Sequence, residues 1–193
     1  SNSLGRKFSS LGNIFNSTKK HSTGLAGAFG KLYASYWVVF RAFGKLKEGI
    51  DLSSSLTETE NVVRTVFGKY ESLINKMSQT SIQDYGMSEL SVKQIASRFQ
   101  AMGTAMGFSQ GKMAEMSVQL TKLTGDMASF YNETQEDVAR RLQSIFSGET
   151  EPMRRYGIDL TNATLKQYAL SKGITTSITS MTQAQKAALR YQY

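Results

Sequence analysis

The chain has 193 residues, is 40% hydrophobic and 10% aromatic, and carries a formal charge of +8, so it holds enough apolar material for a core. It has no cysteine and a single histidine, His21, which excludes thiol catalysis, disulfides, cysteine-based zinc sites and multi-histidine metal centres. The charge is uneven, with eight Lys/Arg against one acid in residues 1–50 and fifteen against fourteen in 51–193, so the basic character belongs to the front of the chain.

Residues 1–23, rich in Ser, Asn, Gly and Lys, read as a loose tail or linker. From Gly24 the texture changes: Leu25, Phe29, Leu32, Tyr36, Phe40, Phe43 and Leu46 recur at steps of three and four, which lays one apolar stripe along a helix. Trp37 stands beside that stripe, and Lys31, Arg41, Lys45 and Lys47 flank it. The 24–50 segment is thus expected to be a basic amphipathic helix, an assembly arm suited to self-association, a partner's groove or an anionic surface. A solvated basic face is the plainer alternative. The longest charge-free apolar run, LYASYWVVF at 32–40, is far short of the roughly 20 residues that cross a bilayer, and no signal peptide is legible.

After LSSS at 52–55, the pattern predicts helix upon helix. Thr57 with Glu60 matches a capping box, and Val62, Val66, Tyr70, Leu73, Ile74 and Met77 continue one stripe to a left-handed stop at Gly86. Ser88 opens the next helix, with Leu90, Ile95, Phe99, Met102 and Met106 inward and Gly107 as its stop. Ser109 opens another, whose seam is Met113, Met116, Leu120, Leu123, Met127 and Phe130. Thr134 with Asp137 starts a fifth, burying Val138, Leu142, Ile145 and Phe146 before Gly148. One proline in the whole chain and no alternating strand pattern complete an all-α expectation, a multi-helix, bundle-like domain over 56–193. The chain opens on Ser1 and closes on KAALRYQY, which reads as a helix cut in mid-course and so as a piece of something longer.

The stretch SGETEPMRRYGIDL at 147–160 holds two acids, the proline, two arginines and two glycines. Each has a structural use at a helix–corner–helix junction. Gly148 stops one helix, Thr150 is a candidate N-cap, and Pro152 fits the first turn of a short helix. Glu149 and Glu151 lie toward that helix's positive end, Arg154 and Arg155 toward its negative end. Gly157 stops it, and Asp159 or Thr161 caps the next.

Catalytic imitations are weaker. Gly107-Phe108-Ser109-Gln110-Gly111 fits G-x-S-x-G, but a nucleophile elbow needs a strand before the serine and a histidine after it. GLAGAFGKL at 24–32 misses the phosphate-loop spacing and has Leu32 where a hydroxyl would hold magnesium. Glu149 and Glu151 could be imagined as paired acid and base, yet beside two arginines they read as caps or ion pairs. No enzyme, cofactor or metal is therefore expected, and any nucleic-acid contact by the arm would be phosphate-driven and not sequence-specific.

Three strings, MGFS at 106–109, LTGDMASFYN at 123–132 and SGETEPMRRYGIDL at 147–160, together with TLKQYALSKGI and TQAQKAALRYQY further on, resemble the N-terminal helical region of bacteriophage tail tape measure proteins. The resemblance covers roughly residues 60–193, and residues 1–55 share only its helical character. It implies a structural protein of the virion, made in the host cytoplasm and laid in the tail lumen, where it fixes tube length and acts in assembly and DNA delivery. Implied partners are other copies of itself, a trimer among the states to expect, the tail tube, tail chaperones, and the tail-tip or baseplate complex. A membrane-interacting module inserting through 24–48 is the competing expectation.

Overall fold

The computed structural model describes residues 52–193. The predicted tail 1–23 and arm 24–50, including Leu25, Phe29, Leu32, Tyr36, Trp37, Phe40 and Phe43, lie outside the described residues. These described residues are all-α, with no strand among them, and divide into two compact units that meet within one helix, residues up to 143 and residues from 144.

The first unit contains α1 (Leu52–Phe67), a 3-10 turn (Gly68–Tyr70), α2 (Glu71–Tyr85), α3 (Glu89–Ala105), α4 (Gln110–Tyr131) and most of α5 (Gln135–Ser147). Helix α3 is central and packs against α1, α2 and α4. Phe67, Ile74, Met87, Ile95, Phe99, Met113, Leu120 and Leu142 are among the fully or nearly fully buried side chains. Burial of such side chains contributes about 1.5–3 kcal/mol each. Helices α1 and α3 run in the same direction. Glu60 pairs with Lys93 near the start of α3, while Val66 meets Gln110 just beyond its end. The first residue of α1 therefore lies at the same end of the unit as Gly86, to whose carbonyl Gln135 Nε2 donates at 2.8 Å.

Several helix ends form as the sequence predicts. Ser88 accepts from the Ser91 amide at 3.1 Å, Ser109 from that of Lys112 at 3.4 Å, and Thr134 from that of Asp137 at 3.1 Å. Gly86 closes α2 in the left-handed region. Three expectations are corrected. Thr57 and Glu60 do not form a capping box, because α1 already runs through LSSS and the Glu60 carboxylate is taken by Lys93. The stripe from Val62 to Met77 is not one helix: Gln110 Nε2 donates to the Val66 carbonyl at 3.1 Å, and the chain turns at Gly68–Tyr70, leaving Leu73 42% exposed.

The third correction concerns α4. Met113, Met116, Leu120 and Met127 are buried as expected, but Leu123 and Phe130 are exposed, and Ser117, Thr121 and Thr124 take the inward places. Thr121 and Thr124 donate to the carbonyls of Ser117 and Leu120 at 2.7 and 2.8 Å. A threonine whose hydroxyl bonds its own helix offers its neighbour only a methyl group. The inward face of α4 is thus rotated away from Leu123 and Phe130. On α3, Ile95 and Phe99 are buried, whereas Leu90, Met102 and Met106 are only half-buried.

The second unit continues from the last turn of α5 through α6 (Glu151–Arg154), α7 (Asn162–Ser171), a 3-10 turn (Ile178–Ser180) and α8 (Gln183–Gln192). Its buried residues include Met153, Leu160, Leu165, Ile178, Met181, Ala187 and Leu189. Helices α7 and α8 pack together, and the Tyr168 hydroxyl donates to the Gln192 carbonyl at 2.5 Å. Thr182 and Gln185 form a reciprocal capping box at the start of α8.

Candidate functional site

The corner at 147–160 is built from the backbone outward. Gly148 sits at φ +87° and its amide donates to Ser144 at 2.9 Å, which ends α5 and turns the chain. Pro152 lies in the first turn of α6, where its missing N–H leaves no carbonyl unserved. Thr150 does not act as the expected N-cap, since its backbone is already helical and its side chain makes no capping bond. Gly157 closes the corner at φ +74°, with the Ile158 amide donating to Met153 at 3.2 Å. A side chain at that φ would meet the steric cost of the left-handed region.

Of the two expected caps of the next helix, Thr161 is the one that forms, and Asp159 braces it from outside. Asp159 accepts from the Thr164 hydroxyl at 2.8 Å and from the Thr161 amide at 3.0 Å, while Thr161 accepts from the Thr164 amide. The Thr164 hydroxyl, then the Thr161 amide and the more distant Arg154 charge, hold the Asp159 carboxyl below its ordinary range. Glu151 pairs with Arg154 at 3.0 Å. Glu149, Glu151, Arg154 and Arg155 are all exposed, and Met153, Tyr156 and Leu160 are the buried anchors beneath them.

A residue that the sequence did not single out holds the corner from below. Arg190 of α8 is only 8% exposed, and its Nη1 donates to the Ile145 carbonyl at 3.2 Å. That carbonyl belongs to the last turn of α5, where acceptors lack intrahelical donors and a cation is favoured. Burial works against the charge and pulls the guanidinium below its ordinary pKa. A β-carbon at Gly148 would lie 3.1 Å from Arg190 Nη2, so glycine meets two requirements there, the turn and the close approach of the guanidinium. In the sequence Arg190 is one basic residue among the alternations of KAALRYQY, with no local signal of burial.

Within the first unit the polar groups are also tied into structure. Gln100 donates to the Gln110 carbonyl at 3.1 Å and accepts from Ser117 at 3.2 Å, fixing α3 to the start of α4. Lys93 is 3% exposed and bonds both Glu60 and Glu89. Burial alone would lower its pKa, but the two carboxylates outweigh that and raise it. Ser109, the serine of the G-x-S-x-G string, follows α3 rather than a strand and caps α4. It borders a hollow of about 800 Å³ lined also by Lys69, Tyr70 and Lys112.

At the other end of the unit lies a groove of about 640 Å³, bordered by Asp84 and Tyr85 of α2, Asp126 and Ser129 of α4, and Glu133 and Gln135 at the start of α5. Phe130, near the end of α4, is 81% exposed, and its ring meets that of Tyr131 edge to face at 4.9 Å. No cluster of three metal-binding side chains occurs among the described residues, and no described helix is long and apolar enough to cross a membrane. Comparison with protein-family models, curated proteins and solved structures finds no match for the chain.

Proposed function

We infer that the chain is a helical structural module of a phage or phage-like tail, part of a tape measure protein. The observation that carries this reading is the run of matching strings from MGFS to SGETEPMRRYGIDL. The all-α architecture is compatible with it, and the corner residues serve caps, ion pairs and anchors. In this reading the protein lies in the tail lumen of the virion after assembly in the host cytoplasm. Its partners are further copies of itself, the tube, tail chaperones and the tip complex, with the 24–50 arm as the assembly element.

The test is genetic and microscopic. Internal deletions in a helical stretch of the full protein should shorten the tail by about 1.5 Å per residue removed, the rise of an α-helix. Purified tails should contain peptides from residues 52–193. Tails of unchanged length, or tails lacking the protein, would overturn the reading. A liposome-binding activity lost in Trp37→Glu would instead favour the membrane-interacting alternative.

A further inference from the structure

Arg190 is a buried charge without a counter-charge. Residues 144–193 hold three acids, and each is engaged elsewhere or faces solvent. Glu151 pairs with Arg154, Asp159 accepts from Thr161 and Thr164, and Glu149 is exposed. Among the described residues the one polar contact of the guanidinium is with the Ile145 carbonyl. A guanidinium does not shed its proton in a protein, so burial leaves the cost of the charge in place. The carbonyl end of α5 offsets only part of that cost, since a helix terminus is equivalent to about half an elementary charge.

The unmet donors belong to one corner of the second unit. Nη1 is taken by the Ile145 carbonyl at 3.2 Å, while Nε, which forms a donor fork with Nη2, is buried without a partner. The Ser144 hydroxyl is also buried without a partner. Gly148 links the two. Its amide donates to the Ser144 carbonyl at 2.9 Å, so it continues the face of α5 on which Ser144 stands. A β-carbon there would lie 3.1 Å from Arg190 Nη2, so the missing side chain admits the guanidinium to that same face.

We propose that this corner binds a small monovalent anion of the size of chloride, held by the Nε–Nη2 edge of Arg190 and the Ser144 hydroxyl. Such an ion accepts from both orphaned donors and supplies the missing charge, whereas a water molecule would meet only the first need. The surroundings set its size: Nε and Ser144 Oγ are shut off from solvent, which bars a nucleotide, a phosphopeptide or a sugar acid. The bound ion ties α8 to the last turn of α5 and makes the stability of the corner depend on anion concentration. The site is independent of the phage-tail assignment, so the deletion experiment above can fail while this one succeeds.

The full chain in sodium gluconate, whose anion is too large for the corner, is titrated with sodium chloride at constant ionic strength. Its Tm should climb with chloride concentration, and the chloride NMR line should broaden. In Arg190→Met both responses should be lost. Its Tm in gluconate should equal or exceed that of the parent, because an apolar side chain then replaces an uncompensated buried charge. Arg190→Lys keeps the charge without the fork and gives a second comparison should the methionine variant not fold; its chloride response should be weaker than the parent's. Ser144→Ala should likewise weaken the response while leaving Arg190 in place. A parent Tm that ignores chloride would overturn the proposal, and so would equal slopes in the parent and Arg190→Met, which mark a general salt effect. A chloride-independent parent destabilised by Glu149→Gln would overturn it by making Glu149 the counter-charge.

Discussion

Replacing Gly125 by alanine tests the close approach of α4 to the end of α2. In a helix interior the change from glycine to alanine by itself stabilises by about 0.5–1 kcal/mol. Against that, the new β-carbon would lie 2.8 Å from Tyr85 Cβ, 3.0 Å from the Tyr85 carbonyl oxygen and 3.1 Å from Met87 Sδ. Two of those atoms are fixed to the α2 backbone, so relief requires α2 and α4 to move apart. Overpacking of this kind costs about 1–3 kcal/mol. The opposing terms leave a net destabilisation of about 1 kcal/mol, read as a Tm lower by roughly 4–8 °C for a unit of this size. Urea titration should show a lower midpoint with an unchanged slope. Gly111→Ala is the matched control: its β-carbon meets only the tip of the half-buried Tyr70 ring, at 2.7 Å, which can swing aside, so stability should stay within about 0.5 kcal/mol of the parent. Gly125→Ala as stable as the parent, or more so, would refute the claim that a missing side chain sets the α2–α4 spacing.

Further outcomes follow from the corner and from the ion pairs. Gly157→Val should cost roughly 1–2 kcal/mol from backbone strain alone, since its β-carbon meets nothing within 4 Å; Gly157→Asn should recover part of this, and an unchanged Tm would remove Gly157 as a left-handed cap. Gly148→Ala should cost less in an Arg190→Ala background than in the parent. Additivity within about 0.3–0.5 kcal/mol in that double-mutant cycle would mean the guanidinium does not press on the corner. The Arg98 guanidinium, against opposing burial, holds the Glu136 carboxyl below its ordinary value of 4.5. Its folded pKa lies below its unfolded one, so the pair's contribution is present above that value and is lost as pH falls through the folded pKa. The fall in urea midpoint between about pH 6 and pH 3 should therefore be shallower in Arg98→Met, and identical acid slopes would refute the linkage.

Features decided by neighbouring residues were legible in the sequence. Ser88, Ser109, Thr134 and Thr161 cap helices because their hydroxyls reach an amide three residues on, and Gly86 and Gly157 stop helices through their own backbone. The inward face of α4 was misjudged because Leu123 and Phe130 are the more apolar residues, while Thr121 and Thr124 become effectively apolar only after bonding their own helix. The break after Phe67 falls at Gly68, which sits at φ +53° and is braced by Gln110, 44 residues on from Val66, while the release of Glu60 from a capping box depends on Lys93, 33 residues away along the chain. The corner could be read from Gly148 to Thr161 except at Thr150, which makes no capping bond, but Arg190 could not, because its acceptor, Ile145, lies 45 residues before it.

The self-satisfied threonines of α4 have a mechanical consequence. A helix that carries its interface hydroxyls on its own carbonyls leaves no broken hydrogen bond at Thr121 or Thr124 when it is drawn away from its neighbour. Resistance to separation of α4 from α3 then comes chiefly from contact area and from Gln100, which bonds the Gln110 carbonyl and the Ser117 hydroxyl. Under tension this interface should yield by sliding over methyl groups once Gln100 lets go, and it can close again without either threonine hydroxyl having to find a new partner.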